Sequence, residues 1–171
     1  MQLRKREKPD WLKINSEINE EYITVRKILK ERKLHTVCEE AKCPNRGECW
    51  RKRTATIMIL GDKCTRNCNF CAVGTNPQGF IDPDEPQKVA EAVDLMGLKY
   101  CVLTSVTRDD LPDGGAQHWA DTILSIRQRT PTVKIEVLIP DFLGDEKALQ
   151  VVLDASPDVL AHNLEKVKEL Y

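Results

Sequence analysis

Cys64, Cys68 and Cys71 stand in the run Cys64-Thr65-Arg66-Asn67-Cys68-Asn69-Phe70-Cys71, a C-x3-C-x2-C spacing with an aromatic residue just before the third cysteine. Three thiols in one short loop, following a β-rich apolar stretch, point to an iron–sulfur cluster held by thiolates. A four-iron cubane has four corners, and this loop supplies three. The fourth iron is left open to a ligand that is not protein. A tetrahedral zinc site usually draws on two spaced ligand pairs, which three ligands crowded into one loop do not provide. A disulfide framework fits no better, because seven cysteines is an odd number and no secretory signal opens the chain.

A second triplet lies upstream. Cys38, Cys43 and Cys49 are spaced C-x4-C-x5-C within residues 37–50. Taken alone, this trio suits either a second cluster or a zinc site completed by His35. The seventh cysteine, Cys101, sits inside a strand-like run and reads as a small apolar packing residue.

These residues need elements to hold them. Ser16 is a candidate helix cap. Ile18, Tyr22, Val25, Ile28 and Leu29 recur at helical steps, which predicts an amphipathic helix to about Lys33. Before it, residues 1–15 read as irregular, with a stretch around Trp11 that docks the indole. Residues 54–60 are apolar and β-rich and predict a first buried strand. Further strands are expected at 100–104, 133–139 and 159–161. Helices are expected at 86–96, stopped by Gly97, at 116–129, at 145–154 and from 164 onward. Strand then helix, four times over, argues for a parallel sheet with right-handed crossovers.

The C-x3-C-x2-C loop with Phe70 resembles the signature of the radical S-adenosylmethionine (SAM) superfamily. The upstream triplet and the words CEEAKCPNRGECW, TSVTRDDLPDGGA, EVLIPDF and AHNLE resemble the lipoyl synthase family over essentially the whole chain. The resemblance implies an α/β fold: a partial radical-SAM (β/α)6-type barrel with about four βα units at 54–171. An N-terminal helical and loop extension at 1–53 would carry the auxiliary cluster. It implies two [4Fe–4S] clusters, one on Cys64, Cys68 and Cys71 that reductively cleaves SAM to a 5′-deoxyadenosyl radical. The other, on Cys38, Cys43 and Cys49, donates sulfur. The implied activity inserts two sulfur atoms at C6 and C8 of an octanoyl group amide-linked to a lysine. Those C–H bonds offer no proton that a protein base could remove, so a radical must take a hydrogen atom. The family also implies a longer chain, and the sequence reads as an N-terminal fragment, inactive alone. The rival readings are another radical-SAM sulfur inserter or maturase, and a non-catalytic iron–sulfur or zinc protein.

In βα barrels ligands lie at the carboxyl ends of the strands. Residues 104–110, Pro140-Asp141 and His162-Asn163 therefore share a rim with the cysteine loop. By resemblance Phe70 packs near the adenine of SAM. Thr104 and Ser105 are assigned to SAM by position, where other superfamily members carry a GGE-like stretch; ordinary loop hydrogen bonding is the alternative. Glu136, an acid within an apolar strand, needs a partner: either SAM or a structural Lys or Arg. Asn163 carries the same two readings, and His162 reads as a satisfied strand-end histidine. Arg108 and Asp109 are expected to pair across their own loop.

With 26 basic and 27 acidic residues in 171, the net charge is −1, which argues against nucleic acid and anionic membrane surfaces as partners. No apolar run approaches the roughly 20 residues of a membrane span. Abundant free cysteines favour a reducing compartment, hence the cytoplasm. The partners implied by the resemblance are an electron donor and octanoylated lipoyl carrier domains, either the 2-oxoacid dehydrogenase E2 component or the glycine cleavage H protein.

Overall fold

The computed structural model describes Pro9 and residues 18–52, 54–76, 79–165 and 167–170. The Trp11 stretch and the Ser16 cap lie outside the described residues. Helix α1 (Glu20–Glu31) begins after Asn19, whose side chain accepts the Tyr22 N–H at 2.9 Å. Glu20 and Glu21 in its first turn and Lys30 in its last suit the helix dipole. Val25, Ile28 and Leu29 are buried as expected, whereas Ile18 precedes the cap and stays exposed.

Three short elements follow that periodicity does not reveal. Strand β1 is His35–Thr36, α2 is Val37–Glu40 and α3 is Arg46–Arg51. The Thr36 hydroxyl caps α2 by accepting the Glu39 N–H. Trp50 of α3 is fully buried. The Tyr22 ring lies 5.0 Å from its ring, and the Arg46 guanidinium covers it at 5.5 Å. These contacts fix the extension to α1.

Next come β2 (Thr56–Ile59), β3 (Lys63–Cys64), β4 (Gly74–Thr75), α4 (Glu85–Met96), β5 (Tyr100–Ser105), α5 (Ala116–Arg129), β6 (Lys134–Leu138), α6 (Glu146–Asp154) and β7 (Val159–Ala161). The main sheet has the order β1-β2-β5-β6-β7. β1 is antiparallel to β2, and every other neighbouring pair is parallel. The strands advance in one direction across the sheet, so right-handed crossovers lay α4, α5 and α6 on a single face. Ile57, Ile59, Cys101, Leu103, Ile135 and Val137 are wholly buried toward that face. Burial lifts the Cys101 thiol to about 12, in keeping with an apolar packing role. The alternate residues Met58, Thr104 and Leu138 turn to the opposite face and line a cavity.

The result is a mixed α/β fold with a mostly parallel sheet. Three βα units are complete: β2–α4, β5–α5 and β6–α6. The helix expected from Leu164 does not form among the described residues; a 3-10 turn at Lys168–Leu170 stands there instead. Leu164 and Val167 are exposed. No helix among the described residues is long and apolar enough to cross a membrane.

Candidate functional site at the cysteine loop

The chain leaves β2 through a turn that few residues would adopt. Leu60 has φ +67° and Gly61 φ +89°. For a non-glycine residue such a conformation costs about 1–2 kcal/mol and needs support. Both polar backbone groups of Leu60 are held by side chains. Its N–H donates to Glu85 Oε2 at 2.7 Å, and its carbonyl accepts from Arg108 Nη1 at 3.4 Å. Glu85 is 4% exposed and also pairs with His118 Nε2 at 2.7 Å. A Cβ on Gly115 would come within 2.5 Å of Leu60 Cδ1, so only glycine lets α5 start this close.

Beyond the turn, β3 and β4 pair Lys63 with Gly74 and Cys64 with Thr75, closing the loop at its base. Thr65 joins it to the end of β5. The Thr65 N–H and hydroxyl both donate to the Thr107 carbonyl at 3.0 Å, and the hydroxyl accepts the Asp109 N–H. Arg66 spans two strand ends. Its Nε and Nη2 donate to Asp109 at 2.8 and 3.0 Å, and its Nη1 and Nη2 each donate to Asp141 at 2.7 Å. The guanidinium holds the Asp141 carboxyl down at about 2, with the Leu143 N–H assisting. The Arg66 N–H lies 3.4 Å from Cys64 Sγ and donates to it.

Sequence reasoning paired Arg108 with Asp109. Arg108 instead turns inward, 2% exposed, and forks onto Asp110 at 2.7 Å while donating to the Gly79 carbonyl. Asp109 belongs to Arg66. Residues 108–111 form a turn closed by the Leu111 N–H donating to the Arg108 carbonyl at 3.0 Å, and that turn carries Asp110 rather than Asp109 to the Arg108 guanidinium.

A cavity of about 420 Å³ opens at the carboxyl ends of β2, β5, β6 and β7. Cys64, Cys68, Cys71 and Phe70 form one wall; Thr104, Ser105, His162 and Asn163 are also in its lining, among apolar Met58, Val73, Val106, Leu138 and Ile139. Five sequence-derived candidates for SAM were Phe70, Thr104, Ser105, Glu136 and Asn163, and four meet here. Thr104 Oγ1 donates to the Leu138 carbonyl. Ser105 Oγ is buried and has no hydrogen-bond partner among the described residues. His162 Nδ1 donates to the Ile139 carbonyl at 2.9 Å, leaving Nε2 as the acceptor nitrogen. Glu136 lies two residues below Leu138 and does not line the cavity. Its partner is the Tyr100 phenol at 2.5 Å, neither a Lys nor an Arg.

Cys64 is half-buried, whereas Cys68 and Cys71 are exposed. Three soft thiol donors on the wall of one cavity fit a thiolate-held cluster. The upstream triplet lies elsewhere. β1 sets His35 against Met58 and Thr36 against Ile57, so the chain leaves it toward the amino end of β2, and none of Cys38, Cys43 and Cys49 lines the cavity. Cys38 is buried, and Cys43 and Cys49 are half-buried. Burial raises the Cys49 thiol above the ordinary cysteine value, with Cys38 and Cys43 adding to the rise. His35 faces Glu40 at 3.6 Å. Among the described residues no three His, Cys, Asp or Glu side chains converge as metal ligands.

Sequence reasoning missed Arg66, Thr65 and Asp141 as the groups that hold the loop. A lone arginine inside a cysteine loop, facing the acidic words after β5 and β6, was the available signal.

Comparison with known proteins agrees with this architecture. The radical SAM superfamily model matches residues 58–171. The chain belongs to the radical SAM superfamily. Residues 2–43 match the N-terminal domain of lipoyl synthase of the Radical_SAM family. The chain is similar to a lipoyl synthase of Thermus thermophilus, 56% identical over 166 residues covering 96% of this chain and 51% of the relative. A lipoyl synthase of Caldicellulosiruptor saccharolyticus is 56% identical over 164 residues, covering 96% and 58%. One of Halorubrum lacusprofundi is 53% identical over 171 residues, covering 98% and 55%. The chain spans about half the length of the curated relatives it matches.

Proposed function

We propose that this chain acts in lipoyl synthesis. Cys64, Cys68 and Cys71 would hold a [4Fe–4S] cluster with SAM at its open iron, and Cys38, Cys43 and Cys49 would hold a second, sulfur-donating cluster. When bound, the first cluster and SAM supply a carbon radical able to take hydrogen from an unactivated C–H bond. The observation that carries the reading is the single cavity in which the three cysteines meet Phe70, Thr104, Ser105 and Asn163. Cys64 Sγ accepts the backbone N–H of Arg66 at 3.4 Å, which fixes the direction of the sulfur. His162 offers an acceptor nitrogen to polar groups of SAM, and the backbone at Thr104 and Ser105 borders the same cavity. Phe70 presents a flat apolar face for its adenine. The aliphatic lining would exclude water from a reactive carbon centre.

The acceptor we assign is an octanoyl group on a lysine of a lipoyl carrier domain, E2 or H protein, with sulfur entering at C6 and C8. An electron donor is required. The cytoplasm suits a chain whose seven cysteines are all free. We further assign 1–53 to the auxiliary-cluster extension and 54–171 to the barrel, a division that β1, as an edge strand on β2, softens.

The test is electron paramagnetic resonance of anaerobically reconstituted, reduced protein. SAM should shift the signal in a variant keeping only Cys64, Cys68 and Cys71. A shift seen only in a variant keeping the upstream triplet would reverse the roles. Zinc without charge-transfer absorption would exclude the reading.

A further inference from the structure

We propose that Arg66 is a positioning residue that makes the cysteine loop and the segment after β6 one mechanical unit. The inference rests on the reading above only for its catalytic consequence; the clamp itself stands on geometry. Four N–H groups of one guanidinium are committed to two carboxylates from different strand ends, all at 2.7–3.0 Å. Planar forked pairing fixes direction as well as distance. On one side the same residue gives its backbone N–H to Cys64 Sγ. On the other, Asp141 begins a strained turn, in which Phe142 (φ +46°) and Leu143 (φ +53°) are consecutive non-glycine residues in the left-handed region. Asp141 Oδ1 also accepts the Leu143 N–H at 3.0 Å. Strain of this kind persists only where the surroundings over-determine it; from outside the turn it is held by the buried Phe142 ring close to Gly114 and by Arg66 on the Asp141 carboxylate. Moving the loop therefore moves Asp141, and with it a wall of the cavity. Asp109 ties the end of β5 to the same anchor. A ligand that orders the cysteine loop must also order the turn after β6, and a disturbed turn must loosen the loop.

The decisive measurement is amide hydrogen exchange on the full chain without added iron, comparing the parent with Arg66→Lys and Asp141→Asn. Lysine keeps the charge and loses the fork. We expect amides at 107–109 and 141–145 to exchange about tenfold faster in both variants. Those at 101–104 and 135–138 should be unchanged, with melting temperature little altered. Unchanged exchange at 141–145 in Arg66→Lys would overturn the clamp. If that variant does not fold, the exchange of Asp141→Asn decides alone. On reconstituted protein, Arg66→Lys should weaken the SAM-induced change of the resonance signal severalfold while iron content holds. Failure of the parent to respond to SAM would remove the functional reading and leave the exchange result to judge the clamp.

Discussion

Replacing Glu85 with alanine should loosen the turn that launches the cysteine loop. Glu85 is a buried carboxylate accepting the Leu60 N–H and pairing with His118, both at 2.7 Å. Leu60 is 1% exposed, so its orphaned N–H could not reach water. An unsatisfied buried donor costs about 1–3 kcal/mol. His118, with a side chain 12% exposed, loses its partner as well and adds about 1–2 kcal/mol. The sum, about 2–5 kcal/mol, is a large share of the roughly 5–15 kcal/mol that holds a domain together. Glu85→Gln retains one carbonyl acceptor for Leu60 and should lose about 1–2 kcal/mol. Urea unfolding followed by tryptophan fluorescence reads both, because Trp119 is buried beside His118. The midpoint should fall in the order parent, Gln, Ala at constant slope. Glu85→Ala within about 0.5 kcal/mol of the parent would refute the assignment of these bonds as supports of the Leu60 turn.

Gly115→Ala should destabilise by about 2–4 kcal/mol, because the new methyl meets Leu60 Cδ1 at 2.5 Å at a residue with φ +88°; thermal denaturation reads it, and an unchanged melting temperature would count against so close an approach. Carbon-13 titration of aspartate carboxyls should place Asp141 near 2. Its folded value lies below the ordinary one of about 3.9, so the clamp's contribution is complete above about pH 4 and disappears as pH falls through 2. In Arg66→Lys the midpoint should move back up. Anaerobic reconstitution should give about eight irons per chain, four per cubane. Replacing Cys64, Cys68 and Cys71 together with alanine should remove about half, measured by iron and sulfide analysis.

Much of the scaffold was readable from residue order. The strand at 159–161 matches β7 residue for residue, and the helix at 116–129 matches α5. Long periodic runs, a glycine stop at Gly97 and apolar strands carry strong local signals. β1, α2 and α3 carry none, being too short for any period to show, and they exist through pairing with β2 and packing around Trp50. The helical pattern after Leu164 shows how local spacing alone can mislead: among the described residues a 3-10 turn stands at Lys168–Leu170. At the site, the meeting of Cys64, Cys68 and Cys71 on one cavity wall was legible because their spacing confines them to one short loop. The true partners of Arg108, Asp109 and Glu136 were not. Those of Asp109 and Glu136 are side chains 43 and 36 residues distant, and that of Arg108 is set by a local turn that brings Asp110 to it.

The way the chain is tied down between β2 and the loop bears on how this protein can change length. Leu60 is gripped at both its N–H and its carbonyl. A Cβ at Gly61 would meet the Phe80 carbonyl at 3.2 Å. Lys63 and Cys64 are in register with β4, and Thr65 and Arg66 are bonded to the ends of β5 and β6. From 60 to 66 the path has no slack, so a single inserted or deleted residue there would displace every anchor that follows. The interval from β2 to Cys64 is therefore a fixed ruler between the sheet and the first cysteine of the loop.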